Sequence, residues 1–358
     1  MTRTSASKAA FEKLNAPLLR HFTTLLSELG GDLSLLLKSL EIAVQDFSEG
    51  AGRLTYRQAI GLLDAASRTV ECPDFGMRLA MRQRGGAVFG ALGKVMRNSR
   101  TFGDALRSAS EHCGAHSRAA RVWLSEDPER SATFAGHELL LGGTANRAQL
   151  IEQILLIGHL EAHEMTGGFS RARCIHFRHE PVSPPAVYRR NFGCDVLFGQ
   201  PADGIAFYPE DLAGRIVSQD EYVYRDMIRY IEEHIPKCRL PAEAEVRGLI
   251  LRSLATGASS TDSVAHELNL NARTLRRRLR DEGICFQDIK DSVRRELTRY
   301  YLERTDLDFR EVSEKLGFAE QSIFSRSCRR WFGKSPTELK NTYHLRTEFV
   351  RIGQAKPR

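Results

Sequence analysis

The sequence is short of long apolar runs. No run approaches the ~18 consecutive apolar residues of a spanning helix. Met1 to Ala10 is polar, without the apolar core of a secretory signal. Cysteine is sparse, seven residues with no Cys-x-x-Cys pair. An odd, scattered set argues for reduced thiols and a cytoplasmic protein, and a zinc site needs closer ligands. Catalytic signatures are missing as well. Arg84 to Lys94 is glycine-rich and ends in Gly93-Lys94, but a phosphate-cradling loop needs glycine where Val88 stands and Ser or Thr where Val95 stands. His159 and His163 share a helix face, yet Leu160 occupies the place of the glutamate that a zinc-protease helix requires. There is no Gly-x-Ser-x-Gly elbow and no spaced carboxylate pair. The sequence therefore points to no catalytic residue, no metal and no cofactor.

What is present is an ordinary soluble composition, 42% apolar and 27% charged, with a net charge of +7 and a pI near 9.1. The basic balance favours a polyanionic partner. A length of 358 residues allows two or three domains. After a frayed start, helical spacing runs from Ala16 to Leu40, broken at Gly30-Gly31-Asp32, and again over Leu54 to Val70 and Phe75 to Met81. A helix opens at Thr101 and runs to His112. Arg118 to Ser125 and Ser131 to Leu140 alternate as strands, with a hairpin turn at Asp127-Pro128-Glu129. Leu150 to Met165 is a strong helix, with His159 to Glu164 expected as a polar face. Short strands follow at Ala172 to Phe177, Val196 to Phe198 and Gly204 to Phe207, with a helix over Val187 to Phe192. The strands are too short and separated to expect a parallel sheet. Glu221 to Ile235 is helical, Lys237 to Pro241 is the expected hinge, and Val246 to Leu254 opens the last domain.

That last domain says nearly the same thing twice. Ser263-Val264-Ala265-His266-Glu267-Leu268-Asn269-Leu270 is followed by Arg273-Thr274-Leu275-Arg276-Arg277-Arg278-Leu279. Glu311-Val312-Ser313-Glu314-Lys315-Leu316-Gly317-Phe318 is followed by Ser322-Ile323-Phe324-Ser325-Arg326-Ser327-Cys328. Each copy has the grammar of a helix-turn-helix: a short amphipathic helix, a residue tolerant of positive φ (Asn269, Gly317), then a second helix. Asp308-x-x-Glu311 is a capping box, and Asn271 can cap the second helix of the first copy. Leu275 and Leu279, and Phe324 and Cys328, are spaced to point into a core. Arg273, Arg276, Arg277 and Arg280 then form one basic stripe, matched by Ser322, Ser325, Arg326 and Arg329. A major groove admits such a helix and offers guanine O6 and N7 to an arginine fork.

These residues resemble the DNA-binding domain of AraC/XylS-type transcription regulators over Pro241 to about Tyr343. Leu316-Gly317-Phe318, Phe324-Ser325-Arg326, Arg330-Trp331-Phe332-Gly333 and Ser335-Pro336 carry the match. Thr298 and Cys328 depart from the family's usual Ala and Phe. The joining helix is expected over Phe286 to Arg304, burying Ile289, Val293, Leu297, Tyr300 and Tyr301, with Arg294 and Arg295 towards solvent. The region from about Leu18 to Leu212 resembles, more weakly, the arabinose-binding type of effector domain in one AraC/XylS subgroup. It does so through Gly90-x-Leu92-Gly93, Ser99-x-Thr101 to Leu106, Tyr188 to Gly193, and Val196-x-Phe198-Gly199.

The expected fold is an α+β N-terminal effector domain followed by an all-α DNA-binding domain with two helix-turn-helix units joined by a long helix. The expected divisions are a disordered start at 1–15, a sensing and dimerisation domain at 16–215 and a linker helix and hinge at 216–240. A DNA-binding domain follows at 241–343, with helix-turn-helix units near 261–281 and 308–331, and a tail at 344–358. Base reading is expected from Arg273, Arg276, Arg277, Gln321, Ser322, Ser325 and Arg326, and phosphate contact from Arg280, Arg329, Arg330 and Lys334. The resemblance implies an operator in double-stranded DNA, a small-molecule effector, RNA polymerase and a homodimer as partners. It leaves the ligand-binding residues unassigned. A ligand-independent repressor or architectural protein is the alternative. An enzyme fused to a DNA-binding domain, such as an alkyl-transfer repair protein, is disfavoured because no cysteine precedes Cys72.

Overall fold

The computed structural model describes residues 11–14, 17–47, 54–83, 87–127, 132–141, 146–200, 202–235, 242–254, 257, 259–304 and 307–341. The chain divides into two compact units between Cys238 and Arg239.

Helices dominate the start of the first unit: α1 (Phe22–Glu28), α2 (Leu33–Ser39), α3 (Tyr56–Thr69), α4 (Phe75–Arg82), α5 (Ala91–Arg97) and α6 (Phe102–His112). Their starts are set locally. Asp32 caps α2 through Ser34 and Leu35, and Thr55 with Gln58 and Thr101 with Asp104 form capping boxes on α3 and α6. The described strands are β1 (Ala120–Asp127), β2 (Ala132–Leu139), β3 (Cys174–His176), β4 (Asp195–Leu197) and β5 (Asp203–Phe207). They make one sheet in the order β1-β2-β5-β3-β4. All pairs are antiparallel except β3 with β4, so the sheet is mixed, with a single parallel pair at one edge. Between β4 and β3 in the chain stands α8 (Pro185–Phe192), and α9 (Pro209–Leu212) follows β5.

The organising element is α7 (Ala148–Met165), which is buried on nearly every side. Its first turn clamps α4: Gly76 N donates to Gln149 Oε1 at 2.8 Å, and Gln149 Nε2 donates to the Pro73 carbonyl at 2.7 Å. A Cβ on Gly76 would stand 2.0 Å from the Gln149 carbonyl oxygen, so the two backbones meet only because position 76 is glycine. One turn on, Gln153 donates to Gln83 and to the Leu18 carbonyl, satisfying polar atoms in the middle of the core. The polar face expected at His159 to Glu164 is only half there. Glu161 is buried, 2.8 Å from Arg97, and His159 packs on Phe192.

Phe11 to Leu14, expected within a frayed start, are instead packed. Phe11 and Leu14 are buried, and Leu14 N donates to the Leu54 carbonyl. The last helix of this unit is α10 (Glu221–His234). It is not a free connector: Ile231 is buried with Leu92, Val95 and Ala115, and Tyr224, Met227 and Ile228 pack beside them. The expected hinge from Lys237 to Pro241, and Pro128-Glu129 of the expected hairpin turn, lie outside the described residues.

The second unit is helical: α11 (Ala242–Ser253), α12 (Thr261–Glu267), α13 (Ala272–Asp281), α14 (Phe286–Arg304), α15 (Phe309–Lys315) and α16 (Gln321–Phe332). A single core, including Ile250, Leu275, Val293, Leu297, Val312 and Phe324, binds both halves to α14. The joining helix has the expected bounds, and Ile289, Val293 and Leu297 are buried in it. Tyr301 is partly buried, and the Tyr300 side chain lies outside the described residues. Arg294 corrects the expectation of a solvent-facing pair. It is 9% exposed, Nε donates to the Leu316 carbonyl at 2.9 Å, Nη2 donates to the Gly317 carbonyl, and the guanidinium lies 3.9 Å over the Phe318 ring. Only Arg295 of the two faces solvent.

Candidate nucleic-acid interface and effector cavity

The two halves of the second unit are built alike. In the first, Ser260 caps α12 by accepting from Ser263 N, the chain turns at Asn269 with φ +53°, and Asn271 Oδ1 caps α13 by accepting from Thr274 N at 2.8 Å. In the second, Asp308 and Glu311 cap α15 reciprocally and the chain turns at Gly317 with φ +63°. A Cβ on Gly317 would lie 2.5 Å from the Leu254 carbonyl oxygen, so that turn needs glycine for space as well as for φ. The side chains at the helix crossing, Ala265 and Ser313, are small and buried.

Helix α13 buries Leu275 and Leu279 and exposes Arg273, Arg276, Arg277 and Arg280 on the opposite face. Arg278, on the flank, is turned aside to Glu245 at 3.2 Å. Helix α16 buries Phe324, Ser327 and Cys328, and exposes Gln321, Ser322, Arg326, Arg329 and Arg330, with Ser325 half-buried. These groups differ in freedom. Arg330 holds Asp291 of α14 at 2.6 Å, and Ser322 Oγ donates to Glu320 at 3.0 Å. Lys334, exposed, follows Gly333, whose φ of +69° ends α16. Glu320, a carboxylate beside the first turn of α16, is a neighbour that the sequence reading did not weigh. Its bond to Ser322 is a two-residue spacing that could have shown it.

The first unit holds a partly open cavity of about 90 Å³. Its walls come from α5 (Leu92, Met96), α6 (Leu106, Ala109), β2 (Ala135, His137), α7 (Ile154, Gly158) and β5 (Ile205, Phe207), with Phe89, Cys113 and His116 closing it. The lining is mostly hydrocarbon. Burial pushes the Cys113 thiol up to about 12 and His116 down to about 4. Burial, with like charge from His116 and Arg147, pushes His137 down to about 3. Both rings are therefore neutral at pH 7. Neither nitrogen of His116, nor Nδ1 of His137, has a hydrogen-bond partner within the protein. No local signal could have marked this site, because its residues arrive from segments spread over more than a hundred positions. Among the described residues, no group of three or more His, Cys, Asp or Glu side chains could hold a metal ion.

A duplicated helix-turn-helix sharing one core, preceded by an α+β unit with an apolar cavity, defines a two-domain DNA-binding regulator. The comparisons give the family. The arabinose-binding domain of AraC transcription regulators, N-terminal, matches residues 30–216, and a helix-turn-helix domain matches residues 264–342. The chain is 31% identical over 320 residues to the HTH-type transcriptional regulator VirS of Mycobacterium tuberculosis, covering 89% of this chain and 94% of that one. It is 25% identical over 328 residues to the ornithine utilization regulator of Pseudomonas aeruginosa, covering 88% and 93%. The crystal structure of the regulator CdpR from Pseudomonas aeruginosa aligns with a TM-score of 0.39 at 19% identity, over 86% of this chain and 96% of that one. The chain belongs to the AraC family of transcription regulators, with an N-terminal effector-binding domain and a C-terminal helix-turn-helix DNA-binding domain.

Proposed function

We propose that the protein activates a catabolic or metabolic operon by reading an operator with both helix-turn-helix units, under the control of a small molecule bound in its N-terminal domain. The observation that carries this reading is the exposed face of α13. Four arginines stand there in a row, on the helix that a helix-turn-helix presents to the major groove. Arg273, Arg276 and Arg277 take base edges in the first half-site. Gln321, Ser322, Ser325 and Arg326 take them in the second. Arg280, Arg329, Arg330 and Lys334 take phosphates, which set register without specifying sequence. Helix α14 spaces the two reading helices for successive major grooves, about 34 Å apart. The protein acts in the cytoplasm, where its operator is, as a homodimer joined through the effector domain. It recruits RNA polymerase when its site adjoins a promoter, and it carries out binding rather than catalysis. The name of the ornithine utilization regulator supports a metabolic target.

The test is genome-wide site selection with the purified protein, followed by transcription assays with metabolites suggested by the genes beside the selected sites. A sharp motif with G-containing steps on the α13 side is expected. Broad binding without a consensus, falling steeply with salt, would reduce the stripes to phosphate contacts and favour an architectural role.

A further inference from the structure

We infer that the cavity between α5, α6, α7 and the sheet is the effector pocket, and that it takes a compact, uncharged, mainly hydrocarbon molecule bearing a hydroxyl or amide. The inference deepens the proposed function and rests on it.

Size comes first. The space of about 90 Å³ is several times the ~10–15 Å³ that a single water needs. A hydrocarbon-lined hole that size destabilises a fold unless something fills it, and water needs two to four polar partners to do so. This hole offers few. His116 is 3% exposed with both ring nitrogens unmatched, and His137 is 8% exposed with Nδ1 unmatched. A neutral imidazole presents one donor and one acceptor. A hydroxyl or primary amide, which does both, matches that pair, and the rest of the ligand meets Leu106, Ala109, Ile154 and Phe207.

Charge comes next. The acidic group of the lining, Glu161, is buried and already engaged 2.8 Å from Arg97, which also lies 3.2 Å from Glu164, so the ion pair turns to itself rather than to an ionic ligand. Burying an unmatched ammonium or carboxylate there is prohibitive. A sugar fails for a related reason: most of its hydroxyls would face hydrocarbon and go unbonded. The family's descriptive name and the relative's printed substrate are thus both poor guides to this chain's ligand.

Position distinguishes a pocket from a packing fault. Leu92 and Met96 of α5 line the cavity, and Leu92 is buried against Ile231 of α10, with Met96, Met227 and Ile228 around them. Ser108 of α6 lies 3.3 Å from the Tyr224 hydroxyl of α10. An occupant larger than the present space moves α5, where methionine yields most readily. That movement reseats α10, the last described helix before the chain enters the second unit.

The experiment uses the full chain, cyclohexanol and phenol as probes, and ligand-observed NMR with operator binding as the second readout. Saturable one-site binding is expected for both probes and none for L-arabinose or L-ornithine. Ala109→Leu, which fills the space, and His116→Phe, which removes the nitrogens at similar volume, should each weaken binding at least tenfold while sparing operator selection. Should Ala109→Leu fail to fold, His116→Phe carries the test alone. No saturable probe binding by a protein that still selects its operator overturns the pocket and leaves the regulator intact. Undiminished binding in His116→Phe, or competition by arabinose or ornithine, overturns the ligand class. A chain that selects no operator overturns the regulator reading and the effector role with it.

Discussion

An arginine in the second unit can face a base edge, a phosphate or the protein's own backbone, and its surroundings decide which. Arg276 stands exposed in the middle of the α13 stripe. Arg276→Ala should cost about 1–3 kcal/mol at one base position and relax specificity there, as read from a selected-site profile. Equal weakening on every sequence would make it a phosphate contact. Lys334→Ala should lower affinity with the consensus unchanged, and a shifted consensus would reject that role. Arg294 does something else. It donates to the Leu316 and Gly317 carbonyls and covers Phe318, so it ties the second turn to the joining helix. Arg294→Ala should destabilise the second unit by on the order of 2–3 kcal/mol, by denaturation followed through Trp331. Arg294→Lys should recover only part, because an ammonium lacks the planar fork. A solvent-facing arginine would show neither loss. This role was illegible in the sequence: its partners lie more than twenty residues downstream, and helical spacing alone pairs Arg294 with Arg295.

At the scale of elements, what was legible was what is local. The caps at Asn271 and Asp308, the turns at Asn269 and Gly317, and the buried pairs on α13 and α16 follow from spacings of four residues or fewer. The two turns nevertheless make different demands. Asn269 is exposed at φ +53°, whereas Gly317 is at φ +63° with its Cα facing the Leu254 carbonyl. Asn269→Gly should therefore be neutral or stabilise by a few tenths of a kcal/mol, about what relief of a left-handed backbone gives. Gly317→Ala should cost roughly 2 kcal/mol or more, adding the clash to the strain. Thermal midpoints of the two variants check the contrast, and equal effects would mean that the Leu254 contact is soft. The cavity was illegible for the opposite reason. Its walls meet only once α5, α6, α7 and the sheet have packed, and nothing in any one of those segments announces the others.

At the scale of the molecule, the first unit buries His116 and His137 in the neutral form. Burial holds His116 near 4 and His137 near 3, both below the ordinary value of 6.5. The unfolded chain therefore binds more protons than the folded one at mildly acidic pH. Stability is fully present above about pH 6.5 and falls below it, by up to about 1.4 kcal/mol per pH unit for each ring. Urea midpoints of the first unit should drop from pH 7.5 to pH 5, and His137→Phe should flatten the decline. A midpoint that ignores pH in this window would mean that the rings are already solvated.

The two helices proposed to read bases are fixed to one α14, yet α13 offers three arginines for the task and α16 a glutamine, two serines and one arginine. A single chain laid on its operator therefore has a head and a tail. Reversing the site should reverse the second unit along the DNA. A promoter served in one orientation should fall silent in the other, even though every contact to the bases is kept.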